Sequence, residues 1–171
     1  ARVNNGDPVD PIQVLDGESR VEGIELGATG QITDRWSVMA GFAWLDSEVL
    51  QSIADNSAVN VLDAQKGENI PNTPESSGSL WTSYVLPAGF EVGYGLSFVG
   101  KYKTEANALT TTVPDATLQN ALIGYRASRK LDLRVNINNL ADEQTWSSVR
   151  PQGWAHPGEG RSFVFTANYE F

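Results

Sequence analysis

The 171-residue sequence has no cysteine. That removes disulfides, thiolate metal sites and a cysteine nucleophile, and leaves the redox compartment unreadable. There is one histidine, His156, and Glu159 beside it does not by itself make a metal site. Positive charge is scarce: 12 Lys and Arg stand against 21 Asp and Glu, a formal charge of -9. Nucleic-acid binding calls for the opposite sign, so no nucleic-acid partner is expected. Nowhere do about 18 apolar residues run together, which excludes a spanning helix but not spanning strands. There is no P-loop and no dinucleotide fingerprint. Ala1–Pro8 lacks the apolar centre of a signal peptide.

What is present is alternation. In Ser162–Phe171, the residues Phe163, Phe165, Ala167, Tyr169 and Phe171 share one face and Ser162, Val164, Thr166, Asn168 and Glu170 the other. Period two means a strand. An aromatic face opposite a mostly polar one suits a barrel with lipid outside and water within. Six more such stretches precede it, at about 20–29, 36–45, 77–85, 90–102, 116–125 and 131–138. In 131–138, Leu131, Leu133, Val135 and Ile137 alternate with Asp132, Arg134, Asn136 and Asn138. In 36–45 the aromatic residues Trp36, Phe42 and Trp44 lie towards both ends, as interface girdles require. The stretch 77–85 is ambiguous because Trp81 and Tyr84 fall on opposite faces. Gly93 and Gly95 fall on the polar face of 90–102, where a sheet bends or another backbone comes close.

Connections alternate short and long. Residues 30–35, 86–89 and 126–130 are turns, whereas 46–76, 103–115 and 139–161 are polar loops. Outer-membrane barrels have this sidedness, with short periplasmic turns and long extracellular loops. The fold class predicted is therefore all-β, an antiparallel meander of about seven long strands. Bacterial single-chain barrels have even strand counts from about eight upwards. An open sheet in lipid would leave two unpaired edges. Residues 1–171 are accordingly expected to be the C-terminal segment of a larger transmembrane β-barrel, in the outer membrane of a Gram-negative bacterium.

Particular runs carry a resemblance. Arg20-Val21-Glu22-Gly23-Ile24-Glu25-Leu26 followed by Trp36-Ser37-Val38-Met39-Ala40-Gly41-Phe42, and Ile70-Pro71-Asn72-Thr73-Pro74 before Ser79-Leu80-Trp81-Thr82-Ser83-Tyr84, resemble late barrel strands of TonB-dependent siderophore receptors. Asn136-Ile137-Asn138-Asn139-Leu140-Ala141-Asp142-Glu143 is similar to that family's N-V-N-N-L-F-D segment, with Ala141 in place of the usual aromatic. Pro157-Gly158-Glu159-Gly160-Arg161-Ser162 leading to Tyr169-Glu170-Phe171 resembles its closing hairpin. The resemblance implies a barrel of about 22 strands, with a plug domain and TonB-contacting segment absent from this sequence. It also implies TonB-dependent uptake of a ferric siderophore, of catecholate type on the strength of the closing hairpin. The isolated segment is then expected to be inactive. Implied partners are the ferric siderophore, outer-membrane lipid and lipopolysaccharide, the TonB complex through the missing part, and the barrel assembly machinery through the terminal strand. No cofactor is implied. A passive porin or adhesin barrel is the alternative.

An anionic iron chelate calls for cations and aromatic rings facing the vestibule. Candidate ligand-binding residues are Lys101, Tyr102 and Lys103 at the end of the fourth strand, and Trp146, Arg150 and Trp154 in the last loop, which also holds His156. Interface anchoring by the rings and solvation of the charges, or pairing with lipopolysaccharide phosphates, is the competing assignment. The acidic residues of 46–76 match no calcium-loop spacing. Glu91, Asp132 and Arg134 are expected to form a polar network on the inner wall. An enzyme is not expected: serine chemistry would need His156 beside Ser147 or Ser148 with a third, orienting group, and the spacing offers none.

Overall fold

The computed structural model describes residues 2–4, 13–15, 17–52, 65–105, 111–150 and 154–171. Two short strands, β1 (Arg2–Asn4) and β2 (Gln13–Leu15), pair with each other. The main body is one antiparallel sheet of seven strands: β3 (Glu18–Thr33), β4 (Trp36–Gln51), β5 (Ser76–Val85), β6 (Phe90–Val99), β9 (Ala116–Arg126), β10 (Leu131–Asn138) and β13 (Ser162–Tyr169). Each pairs with its neighbour in sequence, save for two small ribbons set into the long connections. These are β7 (Tyr102–Lys103) with β8 (Thr112–Val113), and β11 (Trp146–Arg150) with β12 (Trp154–Pro157).

Cross-strand register keeps the apolar alternation continuous around the sheet. Phe163, Ile137, Ala121, Tyr94, Thr82 and Val38 lie successively opposite one another. One row along, so do Phe165, Val135, Ile123, Val92, Tyr84 and Trp36. A slip of one residue anywhere would turn an apolar set to the other side. This face is left uncovered: Phe165 is 77% exposed and Leu26 65%, and Val49, Val113 and Leu122 are the only buried hydrophobic residues among those described. A soluble sandwich would enclose such a face as its core. Here it is an outer belt, with aromatic residues concentrated at its two rims. Trp36, Tyr84, Phe90 and Tyr125 mark the short-turn rim, where Phe90 and Tyr125 stack at 4.5 Å. Phe42, Trp44, Phe98 and Phe163 mark the other. Trp36 turns its polar edge inward along the sheet, its Nε1 donating to Thr82 Oγ1 at 2.8 Å.

Several boundaries differ from those expected. The first hairpin is longer: its strands are 16 residues each and its turn is only Asp34 and Arg35. Residues 46–51, polar enough to read as loop, continue β4 as an extended ribbon in which Arg20 Nη2 meets Glu48 Oε2 at 2.7 Å. At about 3.3 Å per residue such strands exceed the hydrocarbon thickness, so the polar part stands clear of it. The fourth strand ends at Val99 rather than Tyr102, its pairing with β5 closing on the Gly100 N–H that donates to Ser76 O at 2.8 Å.

Trp81 proves to point inward. Gly93 and Gly95 are glycine for its sake: a Cβ would lie 2.8 Å from Trp81 Cζ2 at Gly93, and 2.5 Å from Cε3 at Gly95. Their neighbour is therefore an indole face, not a second backbone. All three short turns lie at one end of the sheet and the three long connections at the other, as the spacing predicted.

Charge placed on the outer belt is the direct test of this orientation. Val135→Arg, between Ile123 and Phe165, is expected to cost the membrane-embedded protein about 2–4 kcal/mol in equilibrium unfolding. Asn136→Lys, one residue along on the inner wall, is expected to change it by under about 0.5 kcal/mol. Equal losses at both positions would contradict the assignment of faces.

Candidate ligand-binding site

The long-connection end of the sheet is built from its loop bases upward. Asn139 is 4% exposed and has φ 50°, a conformation asparagine tolerates better than most residues. Its side chain makes three hydrogen bonds: Nδ2 donates to Glu143 O at 2.9 Å and Glu159 O at 3.1 Å, and Oδ1 accepts from Glu143 N at 2.8 Å. Its own N–H donates to Asn120 Oδ1 at 3.0 Å, and Leu140 N to Gln119 O at 2.7 Å. Asp142, at φ 56°, accepts from Arg161 N through Oδ1 at 2.8 Å. The Asn139–Glu143 segment thus ties β9, the start of the last loop and its return into one knot. Above it stand the ribbon β11/β12 and, next to it, β7/β8.

The two ribbons enclose a cavity of about 420 Å³ against the inner wall formed by Val99, Ala116 and Leu118. Tyr102 and Trp146, two of the predicted residues, both line it. The other four do not. Lys103 alternates with Tyr102 and so faces the opposite side of its ribbon. There its Nζ meets Glu68 Oε2 at 2.6 Å, while its carbonyl accepts from Asn72 N at 2.8 Å. Lys101 is exposed beside the break in the strand. Arg150 and Trp154 lie opposite each other in β11/β12. A bulge at Ser147 turns Trp146 to the other side of that ribbon from Arg150, Trp154 and His156. Trp154 is 70% exposed.

The structure therefore sorts the six candidates into an aromatic pair in a cavity, a lysine held by a glutamate, and an exposed cation–aromatic set. Glu68 was not foreseen, nor was the last ribbon. Its sequence signal was present: two short β-rich pieces separated by Pro151-Gln152-Gly153, a hairpin spacing.

Elsewhere the inner wall carries Trp81 and Leu122 among small and polar residues. A larger, shallower furrow of about 730 Å³ crosses it past Gly27, Gly41, Ser79 and Ser97, with Glu25 the one charged residue among the described ones. Lower down, Arg134 Nε donates to Asp132 Oδ1 at 2.9 Å, and Arg134 Nη2 lies 3.9 Å from Glu91 Oε2, the predicted network. Ser147 Oγ donates to the carbonyls of His156 and Pro157, both at 3.2 Å, so that hydroxyl is bound to backbone. Among the described residues no three His, Asp or Glu side chains gather as metal ligands. Asp55 and Asp63 of the acidic loop lie outside those residues.

Residues 1–140 match the family described as TonB dependent receptor-like, beta-barrel. The chain belongs to the TonB-dependent receptor β-barrel family. Among its relatives is the probable TonB-dependent siderophore receptor PiuA of Acinetobacter baumannii, 35% identical over 158 residues, which are 91% of this chain and 21% of PiuA. The catecholate siderophore receptor Fiu of Escherichia coli is 34% identical over 161 residues, 91% of this chain and 20% of Fiu. The chain thus spans about a fifth of these relatives' length. The crystal structure of PiuA superposes with a TM-score of 0.85 over 98% of this chain and 24% of its own, at 34% identity. The closed form of Fiu gives 0.79 over 99% of this chain and 23% of its own, at 31% identity. The ferripyoverdine receptor of Pseudomonas aeruginosa, at 19% identity and a TM-score of 0.75, shares the fold. In this TonB-dependent receptor segment the sheet is a portion of a barrel wall, and the expected fold class holds.

The knot at the loop base yields a separable prediction. Asn139→Ala removes two donors and an acceptor at a buried site, which should loosen the last loop locally by about 2–3 kcal/mol. Trypsin cleavage after Arg161 should accelerate while the unfolding of the strands themselves is unchanged. Unaltered cleavage would show that the knot does not hold the loop.

Proposed function

We propose that these residues form part of the barrel wall and vestibule of an outer-membrane receptor that binds ferric siderophores and imports them with energy delivered through TonB. The observation that carries this reading is the exposure of Lys101, between β6 and β7, and of the cross-strand pair Arg150 and Trp154 at the end of the sheet that bears the long loops. Cations there attract an anionic iron chelate, and rings cover its flat faces. Lys103 adds positive potential but shares it with Glu68. The names of the relatives PiuA and Fiu support a siderophore, and that of Fiu a catecholate. The segment alone carries no transport. The remaining barrel, a plug and the TonB contact belong to the longer protein. Lipid and lipopolysaccharide surround the belt, and the terminal strand is the part presented to the barrel assembly machinery. The role is binding and transport rather than catalysis.

The test is a titration of the full-length receptor with the ferric complex of 2,3-dihydroxybenzoate. Lys101→Glu combined with Arg150→Glu reverses two exposed charges. It should weaken binding about tenfold at low salt, a difference of about 1.4 kcal/mol, and by less at high salt. An unchanged dissociation constant would remove both residues from the site.

A further inference from the structure

We propose that the cavity between the two ribbons is a binding site for an organic cation, an ammonium group carried on an apolar stem. This does not rest on the siderophore reading, and its charge preference is the reverse of that expected for the chelate.

The first reason is how the ribbons distribute charge. Strand alternation turns Lys103 away from Tyr102, and the bulge at Ser147 turns Arg150 and His156 away from Trp146. Both ribbons thus direct their basic side chains to their outer sides, and no Lys or Arg among the described residues lines the cavity. Its charged wall residues are Asp115 and Glu159, and neither carboxylate has an ion-pair partner among the described residues. An anionic guest would meet two like charges and no counter-charge.

The remaining wall fits the rest of such a guest. Val113 is 4% exposed, packed down beneath its ribbon, and Leu118 supplies apolar surface. Tyr102 and Trp146 add aromatic faces, whose quadrupole attracts an ammonium group, Trp most strongly. A volume of about 420 Å³ lies within the range of small-molecule sites, roughly 300–1,000 Å³. The occupant is therefore a small molecule, or one cationic arm of a larger one.

The site is preformed by contacts that do not use the carboxylates. Glu159 is fixed through its backbone carbonyl, which accepts from Asn139 Nδ2, and Gly158 N donates to Thr145 O at 2.7 Å. Neutralising Asp115 and Glu159 should leave the shape intact.

The experiment uses the full-length receptor in detergent and benzyltrimethylammonium as the probe, followed by calorimetric titration. Saturable binding is expected, weakened at least fivefold in the Asp115→Asn, Glu159→Gln double variant and at least fivefold in Trp146→Leu. Benzoate, of similar size and opposite charge, is expected not to compete. Absence of saturable binding would overturn the proposal. So would equal competition by benzoate, or an unchanged affinity in the double variant. Binding of the ferric chelate, measured in the same variants, reports separately on the siderophore reading.

Discussion

The constraint on which the whole structure depends is that a backbone in hydrocarbon must hydrogen-bond within itself, while every second side chain of a strand faces outward. A sheet satisfies both conditions only if the apolar set of each strand stays in register with that of the next. The rows running from Phe163 and Phe165 across to Val38 and Trp36 do so through five strand pairings. Little else stabilises the isolated sheet in the ordinary sense, since it has almost no private interior. Its stability comes from the ladder and from the solvent on each side.

That economy leaves the inner wall free to be small or polar. Trp81 lies over Gly93 and Gly95, Ser79 and Ser97 leave a furrow, and Arg134 is neutralised by Asp132 and Glu91. Above the membrane, order is set by short-range polar chemistry instead. Asn139 and Asp142 adopt positive φ and secure the last loop, while Glu68 and Lys103 connect two others. These fixed loop bases hold the two ribbons so that Tyr102 and Trp146 line the cavity while Lys103, Arg150 and Trp154 face away from it.

The strands were legible in the sequence because period-two alternation is a local property and survives without any tertiary information. Leu131–Asn138 was found with its bounds intact. Loop asymmetry was legible for the same reason. Strand ends were not. Residues 46–51 are polar and read as loop, yet they extend β4 because their backbone continues the ladder with residues 18–22, where Arg20 and Glu48 pair 28 residues apart in sequence. The candidate site was legible only as a set of residue types. Which face each takes depends on the break at Gly100 and the bulge at Ser147, and neither follows from composition. Lys103 looked like a free cation because Glu68 is distant in sequence.

Spin labels placed singly along Leu131–Asn138 of the full-length receptor, reconstituted in bilayers, test the central claim most directly. Accessibility to lipid-soluble oxygen should peak at positions 133, 135 and 137, and accessibility to a water-soluble nickel chelate at 132, 134 and 136, with a period of two. Protection of 133, 135 and 137 from both reagents would mean that these side chains pack into an interior. The outer face would then not be a lipid face, and the account would be wrong.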